Sequence, residues 1–149
     1  KTRSVYRVNP FAPPEMNGAD MVVYSGDIVK RDAEGFMYYI GRRDEQIKTQ
    51  GYRVSPLEIE ELLYSTGVVH EAAAFGKKDD LLGQRIVVVC SLREGKTSSP
   101  DEIRKLCAER APSHLVPQEI VVLNDLPKNA NGKTDRSLLK SQYAVVPTV

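Results

Sequence analysis

Two Gly-Lys-Thr triplets, Gly95-Lys96-Thr97 and Gly132-Lys133-Thr134, are where this sequence comes nearest to a phosphate-binding loop. A loop that wraps phosphates in backbone amides needs a second glycine five positions before its Gly-Lys pair. Those positions hold Cys90 and Pro127, so neither triplet is such a loop. On its own residues Lys133 is either an exposed lysine beside the Asn131-Gly132 turn or a point charge held out to a site elsewhere. Asp27, in YSGDIV, has two carboxylate oxygens able to take a pair of hydroxyl hydrogen bonds, as ribose recognition requires; the alternative is an ordinary turn residue. GRRDEQIK gathers Arg42, Arg43 and Lys48 around Asp44 and Glu45, which suits either an anion or a solvated linker. Gly51 supplies a positive φ to a strand turn, or leaves room for a ligand against the backbone. His70 and His114 lack ligand-spaced partners, so no metal site is expected. Nor is there a Ser-His-Asp or Cys-His set.

The elements that must position these residues follow from pattern. A chain of 149 residues holds one ordinary domain, or a small domain and a piece of another. Lys plus Arg number 21 against 20 Asp plus Glu, so no broad field draws nucleic acid or membrane. Apolar runs such as Ile86 to Cys90 fall far short of the roughly 20 residues that span a bilayer. The opening KTRSVYRVN has no apolar signal core and no initiator Met, so an internal boundary is expected there. Cys90 and Cys107 read as reduced core residues, which fits a cytoplasmic protein.

Residues 1–19, rich in proline and without periodicity, are predicted irregular. MVVY, DIVK and FMYYI are strands, the last two joined by Asp32-Ala33-Glu34-Gly35 in a hairpin. After the charged linker, IKTQGYRV forms two short strands around Gly51. Ser55-Pro56-Leu57-Glu58 and Ser99-Pro100-Asp101-Glu102 each start a helix with an N-cap, a proline and a capping-box glutamate. EAAAFG, RIVVVCSL and EIVVLN add strands, and residues 136–143 a last helix. The order after the linker is β-β-α-β-β-α-β-α. It predicts an α+β fold, a small mixed or antiparallel sheet on one side with its flanking helices on the other.

Taken together, YSGDIVKRDAEGFMYYIGRRDEQIKTQGYRVSPLEIEELL and, some 65 residues on, LPKNANGKTDRSLL closely resemble the adenylate-forming superfamily. That superfamily comprises acyl-CoA synthetases, peptide-synthetase adenylation domains and luciferases. The resemblance runs from about Val22 to Lys140, with three motifs in the family's order and spacing. It implies ATP and CoA as substrates, Mg2+ with the ATP, and a carboxylic acid activated to an acyl-adenylate. The acyl group then passes to a thiol. A large N-terminal domain holds ATP and acid, while a small C-terminal domain turns between two working faces.

Carried over by motif, Lys133 is the catalytic lysine of the adenylation state. Asp27 binds the ribose and Arg42 lies near ribose and phosphates. Asp44 is the hinge. Lys48, Gly51 and Arg53 line the thioester-forming face, with Gly51 leaving a narrow passage for pantetheine. In relatives this lysine is acetylated, which implies a lysine acetyltransferase as a partner. The implied boundaries are 1–41 for the end of the N-terminal domain, including the β-hairpin, 42–47 for the hinge, 48–142 for the C-terminal domain and 143–149 for a tail.

Three positions depart from the family pattern: Ser65-Thr66 where His-Pro is frequent, Ser25 for the usual Thr, and Lys128 for the common Arg. The family's Ser/Thr/Gly-rich ATP loop and acyl pocket are absent from these residues, so this stretch by itself is expected not to turn over. Pro56 two residues before Glu58 looks more like the CoA ligases than the peptide synthetases. VNPFAPPEMNGADMVVYSGD is similar to a bacterial ligase group linked to exosortase gene clusters. The rival readings are an adenylation domain that loads a carrier protein and a non-catalytic regulatory or binding module.

Overall fold

The computed structural model describes residues 6–10, 21–42 and 45–144. The chain divides into two compact units, Lys1–Asp44 and Glu45–Val149. Asp44 and most of the proline-rich opening lie outside the described residues.

In the first unit, β1 (Tyr6–Val8) pairs antiparallel with β2 (Met21–Val23). The stretch predicted irregular therefore contributes a strand. Three residues are too few to show a period, and the strand exists because Met21–Val23 offers a partner. β3 (Asp27–Arg31) and β4 (Met37–Arg42) form the expected hairpin. The Asp32 carboxylate fastens its turn, accepting from the Glu34 and Phe36 N–H groups at 3.0 and 2.9 Å and from the Tyr38 hydroxyl at 2.9 Å.

The second unit runs β5 (Ile47–Thr49), β6 (Tyr52–Val54), α1 (Pro56–Ser65), β7 (Val69–Asp79), β8 (Gly83–Leu92), α2 (Pro100–Ala108), a 3-10 turn at Ser113–Leu115, β9 (Glu119–Leu123) and α3 (Arg136–Tyr143). This is the predicted order and an α+β fold. Both helices start at the expected serine and proline, with the reciprocal capping box at the second start. Ser55 Oγ accepts from the Leu57 N–H at 3.3 Å, and Ser99 with Glu102 makes a complete reciprocal capping box. β7 and β8 pair antiparallel along their length, β9 joins β8 in parallel, and β5 touches the start of β8 through Thr49 and Gly83.

The helices do not share one side. Ala72, Ala74, Ile86, Val88 and Cys90 face α1 and α2, where Ile59, Leu63, Ile103 and Cys107 complete one core. Ala73, Phe75, Val87 and Val89 face the other way, onto Leu139 of α3 and onto Leu126 in the loop after β9. The expectation of a sheet with helices on one side only is thus corrected. Unbroken apolar runs such as IVVVC are apolar on both faces, and burying both requires cover on each.

β7 is an edge strand with β8 on one side. On its other side the Ala72 N–H donates to the Tyr64 hydroxyl at 3.2 Å and the Ala74 N–H to Glu60 Oε1 at 2.9 Å. No helix among the described residues is long and apolar enough to cross a membrane.

Cys90 and Cys107 are free and buried. Burial pushes both thiols up to about 11, and the neighbouring Cys107 adds to the rise at Cys90. Neutral thiols are favoured in the folded chain, while unfolding frees them to ionise near pH 9. Their contribution to stability is whole below about pH 9 and lost as pH rises toward 11. At pH 8 the native chain is expected to leave both thiols unmodified by a small disulfide reagent over minutes, and the denatured chain to titrate two. Rapid reaction in the native state would contradict this burial.

Candidate functional site

Lys133 sits on a tight turn between β9 and α3. Lys128 and Thr134 form an isolated antiparallel bridge, the Asn129 N–H donates to the Lys133 carbonyl at 2.7 Å, and the Asp135 N–H to the Pro127 carbonyl at 2.7 Å. Asn129 organises the interior, its Oδ1 accepting from the Asn131 and Lys133 N–H groups at 2.9 and 3.1 Å. Gly132 closes the turn at φ +74°, a conformation that favours glycine. The Asn131-Gly132 turn is therefore internally tied rather than loose. Lys133 is exposed, and its ammonium makes no hydrogen bond or ion pair among the described residues.

Both ends of this turn are anchored. Before it, Lys128 pairs with Glu71 of β7. After it, Arg136 makes two hydrogen bonds to Glu60 of α1, at 2.6 and 2.5 Å. Those bonds hold the Arg136 guanidinium further toward its charged form. Asp135 caps α3, accepting from the Leu138 N–H at 3.0 Å.

Gly51 lies in the two-residue turn of the β5–β6 hairpin. Gln50 has φ 51° and Gly51 φ 81°, the pair of positive angles that lets two-residue turns match strand twist. A β-carbon at Gly51 would meet nothing within 4 Å. The turn rests on the β7–β8 hairpin end, where the Gln50 N–H donates to the Leu82 carbonyl at 2.9 Å and the Lys48 N–H to Gln84 Oε1 at 2.7 Å. Lys48 and Arg53 are direct cross-strand partners, both exposed. Like charges opposed across a ladder are mildly unfavourable, and here both are exposed to solvent. Beside it, Tyr52 stacks on His114 with ring centroids 4.1 Å apart.

The structure brings Lys48, Gly51 and Arg53 together and sets them apart from Lys133. The Lys133 turn is tied to β7 at Glu71, whereas the Gly51 turn meets the sheet at Gly83, opposite Asp79. From Glu71 to Asp79 is eight residues of strand, or roughly 25 Å at about 3.3 Å per residue.

In the first unit Asp27 and Arg42 are cross-strand partners, with Arg42 Nη1 3.9 Å from Asp27 Oδ1 and both side chains about two-fifths exposed. At that distance the pair is not a hydrogen bond, and among the described residues no hydrogen bond reaches the Asp27 carboxylate. The Asp27 N–H donates to Ser25 Oγ at 3.2 Å, a role the usual threonine would fill equally. The proposed hinge, Asp44, lies outside the described residues. A shallow cleft of about 480 Å3 between Arg104 of α2 and Gln118 contains none of the predicted site residues.

Three contributors to the site were missed. Asn129 carried a local signal, an Asx residue four before Lys133. Glu60 carried a weaker one, a charged residue on the stripe Pro56, Ile59, Glu60, Leu63. Arg136 carried none that names its partner 76 positions away.

Residues 58–133, just over half of the chain, match the family model described as AMP-binding enzyme C-terminal domain. The chain is 37% identical over 139 residues to a linear gramicidin synthase of Brevibacillus parabrevis, covering 93% of this chain and 3% of that one. It is 34% identical over 135 residues to a crotonobetaine/carnitine–CoA ligase of Escherichia coli O157:H7, covering 91% and 26%. Among solved structures, the o-succinylbenzoate CoA synthetase of Bacillus subtilis, in complex with its acyl-adenylate intermediate, aligns with a TM-score of 0.70 at 34% identity, over 79% of this chain and 24% of that one. The chain therefore spans about a quarter or less of the length of these relatives.

Proposed function

Because the chain belongs to the AMP-binding enzyme C-terminal domain family, we propose that it is the mobile part of an AMP-forming acyl-CoA ligase, alternating between two half-reactions. The observation that supports this reading is that the Lys133 turn and the Gly51 turn are anchored toward opposite ends of the β7–β8 hairpin. In this reading an active site held by a preceding domain meets one turn in each half-reaction, and the C-terminal domain turns between steps.

In the first step a carboxylate oxygen of the acid attacks the α-phosphorus of ATP, the new C(O)–O–P bond forms and pyrophosphate leaves. Lys133 contributes a positive charge opposite the carboxylate and α-phosphate as negative charge redistributes. Asp27 takes the ribose hydroxyls, with Arg42 nearby. In the second step a thiolate attacks the acyl carbon, a thioester forms and AMP leaves. The Gly51 turn borders the thiol's path, and Lys48 and Arg53 supply positive charge beside it. The Mg2+ accompanying ATP is assigned to the preceding domain on the family resemblance. The boundaries 1–41, 42–47, 48–142 and 143–149 belong to the same proposal, which the break between compact units after Asp44 supports.

CoA is the proposed acceptor, on the resemblance of IKTQGYRVSPLEIE to CoA ligases. A carrier-protein thiol is the second reading, favoured by the 37% identity to a gramicidin synthase. Acyl-adenylate supplied to the whole enzyme with CoA, or with a pantetheinylated carrier, separates the two by which thioester forms. The 149-residue chain alone is expected to give no ATP–pyrophosphate exchange with any acid. Robust exchange would reject the assignment of ATP and acid to a preceding domain.

A further inference from the structure

We propose that Glu60 and Arg136 are positioning residues for Lys133, fixing where the lysine's turn leaves the body of the domain. The inference rests on the reading of Lys133 as catalytic. Glu60 is 2% exposed, yet one carboxylate serves three elements. It accepts the Arg136 guanidinium as a two-pronged partner, and the Ala74 N–H of β7 at 2.9 Å, from its own place on α1. Arg136 is the first residue of α3 and stands three positions after Lys133. Paired forks of this kind set geometry as well as attraction, because a planar guanidinium meets a carboxylate in few orientations.

Glu60 is buried while the Arg136 side chain is about half exposed, and an ion pair with one partner in solvent is a weak device for stability alone. What Glu60 adds is a fixed point. With Lys128 on Glu71 at the entry and Arg136 on Glu60 at the exit, both ends of the turn are registered against β7 and α1. Asn129 fixes the turn's interior. Only the lysine side chain is left to move. An exposed ammonium whose base is held in this way arrives in one place each time the domain turns.

The test compares Arg136→Gln with Arg136→Lys in the full-length enzyme. For Arg136→Gln, kcat for pyrophosphate exchange is expected to fall about 10- to 100-fold, the scale of loss from small misplacement of a reacting group. KM for ATP and acid should hold, as should thioester formation from supplied acyl-adenylate. Arg136→Lys keeps a cation opposite Glu60 but not the fork, and should fall between; it carries the same comparison if the Gln variant does not fold. In a Lys133→Ala background, Arg136→Gln should cost nothing further.

Amide hydrogen exchange gives a readout apart from activity. The Asn131 and Lys133 amides should exchange faster in the Gln variant, while those of β7 and β8 keep their protection. Equal loss of both half-reactions, additive loss in the Lys133→Ala background, or unchanged exchange at the turn would each overturn the proposal. If Lys133→Ala itself retains adenylation while the turn amides still loosen, the catalytic reading of Lys133 fails. Glu60 and Arg136 then hold a turn without a catalytic role.

Discussion

Lys133→Ala in the full-length enzyme is expected to abolish adenylate formation while sparing thioester formation from supplied acyl-adenylate. The loss should be on the order of 10²- to 10³-fold in kcat, the usual cost of removing one donor aimed at developing charge in a site without water. Folding should not complicate the result. Lys133 is exposed and its ammonium makes no hydrogen bond or ion pair among the described residues, and substitutions at such positions seldom shift stability by more than about 0.5 kcal/mol. Pyrophosphate exchange and thioester formation, measured on the same preparation, decide the matter. Equal loss of both rejects the division of labour. Lys133→Gln, which stands in for an acetylated lysine, should match the Ala variant. A lysine acetyltransferase acting there would thus switch off the first step and leave the second.

The second large effect is the mirror image. Gly51→Leu should lose thioester formation, on the order of 10²-fold if the acceptor thiol is displaced by even 1 Å, and keep adenylation. The structure sharpens the design of this experiment. Within its own domain a side chain at Gly51 has open space, but φ of 81° strains any L-residue there. Gly51→Leu therefore mixes bulk with backbone strain. Gly51→Asn separates them, since Asn tolerates the left-handed region better than other residues. If the passage beside Gly51 is narrow, the Asn variant folds, adenylates and still fails to make thioester. Normal thioester formation by Gly51→Asn would leave Gly51 a turn residue and nothing more.

Local chemistry made much of the second unit legible. Ser55-Pro56 and Ser99-Pro100 announce helix starts because the serine hydroxyl can accept an orphan N–H and proline tolerates the first turn, and both helices begin there. The faces of β8 were not legible, because Val87, Val88 and Val89 carry no alternation to say which way each points. β1 was too short to read. At the site, Lys133 and Gly51 could be singled out by type and neighbours, but their placement on different faces was implied only by the family resemblance and by no local pattern. That depends on Gly83 meeting Thr49 and on Glu71 meeting Lys128, contacts between residues far apart in the chain. The same holds for Glu60 and Arg136, whose pairing no local pattern contains.

An uncovered strand edge is a template on which a second molecule can add its own strand, and long apolar sheets such as this one are prone to such stacking. On β7 the Ala72 and Ala74 N–H groups, which an incoming strand would need, are already taken by Tyr64 and Glu60, one turn apart on α1. At these two positions the helix is a stopper against an added strand. The carboxylate that ties down the lysine's turn is therefore also one of the groups that occupy this edge. Cutting the tie from the Arg136 side leaves the stopper in place.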